Sequence, residues 1–135
     1  MALNTQKLMI VDDQDELRKM LRLALGYGKY QLLDAADGAT ALALARAEKP
    51  DVILLDVMMP GELDGFDVCR AIKADPELAH AFIVMLTARG QASDFTAGDA
   101  AGADAYMVKP FSPTKLIEVI EMRTKLNQPI GARNY

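Results

Sequence analysis

Two short stretches constrain this 135-residue chain more than any other feature: Val52 to Leu55 and Phe82 to Leu86 are apolar at every position. A strand with one wet face alternates apolar and polar residues. A run without alternation is buried on both faces, as at the centre of a parallel sheet covered by helices on its two sides. The rest of the chain supplies the pieces of such a sheet. Short apolar runs alternate five times with segments of helical period, beginning with Lys7 to Val11 and ending with Ala105 to Val108 and a helix from Ser112.

The local signals agree with a βα repeat. Leu17, Met20, Leu21, Ala24 and Leu25 recur at the spacing of one buried helix face, with Gly26 and Gly28 available to end it. A strand from Gln31 to Ala35 leads into an alanine-rich helix from about Ala39 to Glu48, closed by Lys49-Pro50 because proline disfavours helix in the residue before it. Asp64-Gly65 reads as a turn before a helix from about Gly65 to Ala74, with Phe66, Cys69 and Ile72 inward and Asp75-Pro76 as its stop. Gly98 reads as a weak helix position and Gly102 as a helix stop. Ser112 offers an N-cap hydroxyl and Pro113 a first helical residue, with Leu116, Ile117 and Ile120 inward.

Length and composition then bound the answer. A chain this short holds one core, expected here over residues 1–127, and 128–135, with Pro129 and Gly131, reads as a loose tail. Hydrophobic residues at 51% against 25% charged exclude a disordered chain. No apolar run approaches the roughly 18 residues that span a bilayer, and the start lacks a basic, apolar and cleavable leader, so a cytoplasmic protein without membrane insertion is expected. The single cysteine, Cys69, gives no disulfide framework. A net charge of −4 without a Lys/Arg cluster argues against direct nucleic-acid binding.

The informative polar residues share one address. Asp12 and Asp13 follow the first strand, Asp56 closes the third, Thr87 follows the fourth and Lys109 the fifth. Ligands of open parallel sheets sit outside the carboxyl ends of the strands. With neighbouring strands about 4.8 Å apart, side chains from several of them converge there, and only a long cation such as lysine reaches back across two strands. Three carboxylates at one place repel by roughly 4 kcal/mol per pair at 4 Å and an effective dielectric of about 20. A raised pKa, the Lys109 ammonium or a metal must compensate, and an all-oxygen cluster with room for water suits Mg²⁺, with Mn²⁺ also acceptable. Beside such cations an aspartate can act as nucleophile toward a phosphoryl group.

Four motifs in order, IVDDQ, LLDVMMP, Thr87-Ala88 and YMVKPF, resemble the receiver domain of bacterial response regulators over residues 6–127. The resemblance implies an α/β fold with a five-stranded parallel sheet in the order 2-1-3-4-5, the order of a chemotaxis member of that family, with helices on both faces. It implies that Asp56 is the phosphoacceptor. Asp13, Asp56 and the backbone carbonyl of Met58 are then metal ligands, and Asp12 holds metal-bound water. Thr87 and Lys109 bind the phosphoryl group, with Lys109-Pro110 a cis peptide. Tyr106 is an aromatic switch that turns when Thr87 moves, reshaping the face made by the fourth helix, fifth strand and fifth helix. The implied partners are a histidine kinase or histidine phosphotransfer protein and a downstream protein target. Met58 and Arg89 occupy positions that in the family tune how fast the phosphoryl group is lost.

One departure stands out. The family usually places eight residues from the phosphoacceptor to the glycine that opens the third helix, and Asp56 to Gly65 is nine, with the extra residue around Gly61-Glu62. Each polar residue alone has a bland reading: Asp12-Asp13 as a helix N-cap, Asp56 as a polar strand end, Thr87 as a turn, Lys109 as surface, Tyr106 as a half-buried aromatic. Their joint placement outweighs those readings. His80 reads as surface, and Cys69 and the eight methionines as core filling. Two other functions compete. Asp13-Gln14-Asp15 offers the DxD of an aspartyl-nucleophile phosphohydrolase, but no threonine follows at the next alternate position and no cap domain is present. A phosphorylation-independent interaction module would be expected to lose an acidic residue or the lysine, and this chain keeps them.

Overall fold

In a computed structural model, residues 6–26, 30–88 and 92–126 are described. Gly28, Arg89 and the tail 128–135 lie outside the described residues. The elements alternate as β1 (Gln6–Val11), α1 (Asp15–Leu25), β2 (Tyr30–Ala35), α2 (Gly38–Glu48), β3 (Val52–Asp56), α3 (Gly65–Ala74), β4 (Phe82–Thr87), α4 (Ala92–Ala101), β5 (Ala105–Val108) and α5 (Pro113–Leu126). The five strands are parallel in the order β2-β1-β3-β4-β5, so the expected sheet and order hold.

The apolar runs explain the layering. Every residue of β3 and β4 is buried. Successive side chains go to opposite faces. Ile53, Leu55, Ile83 and Met85 pack with Ala41, Leu42 and Ala45 of α2 and Val68, Cys69 and Ile72 of α3. Leu54, Val84 and Leu86 pack with Leu21 and Leu25 of α1 and Leu116 and Ile120 of α5. A fully buried leucine contributes about 1.5–3 kcal/mol, so the two clusters rather than helix propensity hold the layers together.

Some expected positions shift and others hold. Met20 is 38% exposed instead of inward, because the buried stripe of α1 runs through Leu21 and Leu25 and leaves Met20 at the lip of a cleft. Phe66 faces inward as expected, half-buried and packed against the core, and Val68, which the spacing did not single out, joins Cys69 and Ile72 as fully buried. Ile117 is half-buried and packs inward against the cluster of Leu116 and Ile120. Asp64-Gly65 is a helix start rather than a turn: Asp64 accepts from the Asp67 amide at 2.9 Å and Asp67 accepts from the Asp64 amide at 3.0 Å, a reciprocal capping box. Lys49 ends α2 as a left-handed cap at φ 51, its amide donating to the Ala45 carbonyl at 2.8 Å; the following proline disfavours a further helical turn but does not itself set this angle. The Ser112 hydroxyl accepts from the Lys115 amide at 3.4 Å at the start of α5.

Candidate functional site

Backbone pairing continues one residue past the strands and fixes where the polar side chains begin. The Asp12 amide donates to the Ala35 carbonyl at 3.1 Å, Val57 to Leu86 at 3.0 Å, and Lys109 to Thr87 at 2.7 Å. These residues leave the sheet in register, so their side chains are aimed by the sheet and not by loops. Gly65 closes the same corner. Its amide donates to Val57 O at 3.0 Å, and a Cβ there would lie 2.2 Å from the Asp56 carbonyl oxygen, so only glycine lets α3 start this close to β3.

The structure brings Asp12, Asp13, Asp56 and Lys109 together. One carboxylate oxygen from each aspartate lies within 4.8 Å of the others. Asp12 is fully buried; Oδ1 accepts from the Gln14 amide at 2.9 Å and Oδ2 from Lys109 Nζ at 2.7 Å. The pair therefore forms an Asx-type turn rather than a helix cap, and the N-cap position itself falls to Gln14, whose side chain makes no capping bond. Asp13 is exposed. Asp56 is 4% exposed, accepts from the Met58 amide at 3.2 Å, and has Lys109 Nζ at 3.4 Å. Lys109 does reach back across two strands, but it sits closer to Asp12 than to Asp56. Thr87 is buried beside the site, and the Lys109-Pro110 peptide is cis.

Burial, and then the charge of Asp12, push the Asp56 carboxyl up to about 6; Lys109 and the Met58 amide only partly offset them. A carboxylate so placed lacks positive charge. The donor set is all oxygen and opens into a cleft of about 670 Å³ whose walls include Asp13, Asp56 and Lys109 beside Leu17, Met20 and Met58. It fits a hard divalent cation that keeps some of its water.

Sequence reasoning missed several supports. The Arg18 guanidinium donates to the Asp12 carbonyl and pairs with Asp15 and with Asp34, the last at 3.3 Å, buttressing the loop that carries the acidic pair. Only the Asp15–Arg18 spacing was visible in the chain as a signal. Asp15 itself is 71% exposed and turned to Arg18, away from the acidic cluster, which removes the DxD arrangement. Gln14 Oε1 lies 3.5 Å from Lys109 Nζ. Tyr106 is half-buried among the residues packed between the sheet, α3 and α4, and its hydroxyl donates to Asp99 Oδ1 at 2.6 Å. The extra loop residue falls where Gly61 adopts φ +98 with open space around it, lining a shallow cleft with Asp37 and Leu63. His80 is half-exposed, 4.0 Å from Asp51. Cys69 is buried, its thiol pushed up to about 11 by burial. Among the described residues no helix is long and apolar enough to cross a membrane.

A family described as the response regulator receiver domain matches residues 8–121. Over 111 residues the chain is 46% identical to a protein named "Probable transcriptional regulator ycf27" from Guillardia theta, covering 82% of this chain and 42% of that relative. It is 38% identical to the "DNA-binding response regulator MtrA" of Mycolicibacterium smegmatis, covering 91% of this chain and 52% of that relative. The chain thus spans about half the length of the curated relatives it matches. Among solved structures it resembles the chemotaxis protein CheY4 of Vibrio cholerae, with a TM-score of 0.81 and 34% identity over 87% of this chain and 97% of that one.

Proposed function

This chain belongs to the family of response regulator receiver domains, and from that premise we propose that it accepts a phosphoryl group on Asp56 from a histidine kinase or a histidine phosphotransfer protein. One observation carries the reading. A nearly buried aspartate, raised toward neutrality, sits within reach of two further carboxylates and one lysine at the mouth of a cleft.

An Asp56 carboxylate oxygen forms a bond to the donor's phosphorus as the donor's phosphorus–nitrogen bond breaks, leaving an acyl phosphate on the protein and the electron pair on the imidazole. Asp13, Asp56 and the Met58 carbonyl would hold Mg²⁺, which would supply positive charge against the transferring oxygens. Asp12 already accepts bonds at both oxygens, which suits it to holding the ion's water rather than the ion. Lys109, now on Asp12 and Asp56, takes a phosphoryl oxygen, and Thr87 binds another. In this reading Tyr106 turns in response to Thr87, and the face of α4, β5 and α5 carries the signal to a protein target. With a net charge of −4 the proposal assigns this chain no contact with nucleic acid; DNA binding stays with the relatives named for it.

The test is intact mass after incubation with acetyl phosphate or phosphoramidate and Mg²⁺. One phosphoryl group is expected on wild type and none on Asp56→Asn. An unmodified wild type would instead favour a phosphorylation-independent interaction module.

A further inference from the structure

The last turn of α4 and the middle of β5 are joined by a contact that phosphoryl chemistry at Asp56 does not use. Gly102, at φ +95, reverses the chain after α4, and the Ala103 amide donates to the Gly98 carbonyl at 2.9 Å. That reversal lays Tyr106 back over the helix it has just left. The ring occupies the space a side chain at position 98 would take: a Cβ on Gly98 would lie 2.3 Å from Tyr106 Cε1 and 2.8 Å from its hydroxyl oxygen. From that seat the hydroxyl donates to Asp99 at 2.6 Å, a short bond to an ionised acceptor.

We propose that Asp99, with Gly98 as the seat of the ring, is the positioning residue that sets the equilibrium of this receiver by latching Tyr106 in its unphosphorylated packing. The inference rests on the reading of Asp56 as phosphoacceptor and of Tyr106 as the switch, and deepens it. An interaction made in one of two packings biases the equilibrium toward that packing by its own worth, and its loss raises the population of the other. A ring that turns on phosphorylation must leave both the carboxylate of Asp99 and the flat surface of Gly98. The two features are independent. One is a hydrogen-bond acceptor, the other an absence of side chain, and each can be removed while the other stays.

The experiment follows the rate of acetyl-phosphate labelling with Mg²⁺ in wild type, Asp99→Leu, Asp99→Asn and Gly98→Ala. The Tyr106 ring resonance in the unphosphorylated, tyrosine-labelled proteins is read alongside. Leucine at 99 removes the acceptor and alanine at 98 expels the ring, so both should label about three- to tenfold faster than wild type, the range left when a charge-assisted hydrogen bond is discounted for exposure. Both should also show a displaced Tyr106 resonance. Asparagine keeps an acceptor oxygen but not its charge and should label at a rate between wild type and Asp99→Leu, a graded recovery that a merely structural role for residue 99 would not require. Wild-type rates in Asp99→Leu and Gly98→Ala with a displaced ring would overturn the latch, as would an undisplaced ring in both. A wild type that takes no label would overturn the phosphoacceptor reading, and the latch with it.

Discussion

Replacing Asp56 by asparagine should make the metal-free protein more stable at neutral pH, although it removes the residue on which the proposed chemistry depends. The carboxyl titrates near 3.8 in an unfolded chain and is raised to about 6 in the fold, chiefly by burial and then by Asp12. At about 1.36 kcal/mol per pH unit, that rise corresponds to about 3 kcal/mol, an upper figure because Lys109 and the cleft relax around a neutral amide. For a domain of this size the shift in midpoint is about 10 °C. The sign follows from which state holds the proton. Below 3.8 the carboxyl is neutral in both states and the wild type has its full stability. As pH rises toward 6 the unfolded chain releases its proton first, so wild-type stability falls, and the loss is complete above the folded value. Asparagine has no such loss. Chemical denaturation followed by circular dichroism in chelator, from pH 3.5 to 7.5, should therefore show a gap between the two proteins that is absent at the acid end, opens between pH 4 and 6 and then levels off. A gap independent of pH, or an asparagine variant less stable than wild type at pH 7.5, would refute the reasoning. Saturating Mg²⁺ should then narrow the gap, since a cation at 100 times its Kd adds about 2.7 kcal/mol to the protein that binds it.

Three further outcomes follow from the same geometry. Lys109→Met leaves Asp12 and Asp56 facing each other without their cation and should cost about 3 kcal/mol in chelator by urea denaturation; a variant as stable as wild type would show that the pairing contributes nothing. Gly65→Ala puts a Cβ against the Asp56 carbonyl, and should lower both stability, by about 1–3 kcal/mol, and Mg²⁺ affinity measured by titration; unchanged affinity would mean that α3 gives way without moving Asp56. The Cys69 thiol, buried and raised to about 11, should stay unmodified by a thiol reagent at pH 8 until the protein unfolds, with prompt labelling of the folded state as the contrary result.

Much of this was legible in the chain because it is one-dimensional information. A strand apolar at every position states that both its faces are covered, and Val52 to Leu55 and Phe82 to Leu86 are buried throughout. The acidic residues were equally legible, since each stands at or just past the carboxyl end of a strand and parallel strands deliver those ends to one edge. Helix faces were read less well. Met20 fits an inward stripe by spacing, yet a stripe is wider than the surface that covers it, and which of its edges stays wet depends on the neighbour. Asp64-Gly65 looks like a turn along the chain because the partner of Asp64 in the capping box, Asp67, is not the usual glutamate or glutamine.

The layering, the strands' shared edge and the charge gathered there are written in the order of residues. Periodicity and order along the chain are enough for these. How that charge is shared comes from the fold: Lys109 favours Asp12 over Asp56, Arg18 braces the acidic loop, and Gly98 and Asp99 receive the Tyr106 ring and hydroxyl. The Lys109 bond and the seat of the Tyr106 ring on Gly98 bring together groups from separate parts of the fold, Lys109 and Asp12 being 97 residues apart. The Arg18 brace spans only six residues but depends on where β1 ends and how α1 leaves it. In each case packing settles the geometry, which no spacing along the chain encodes.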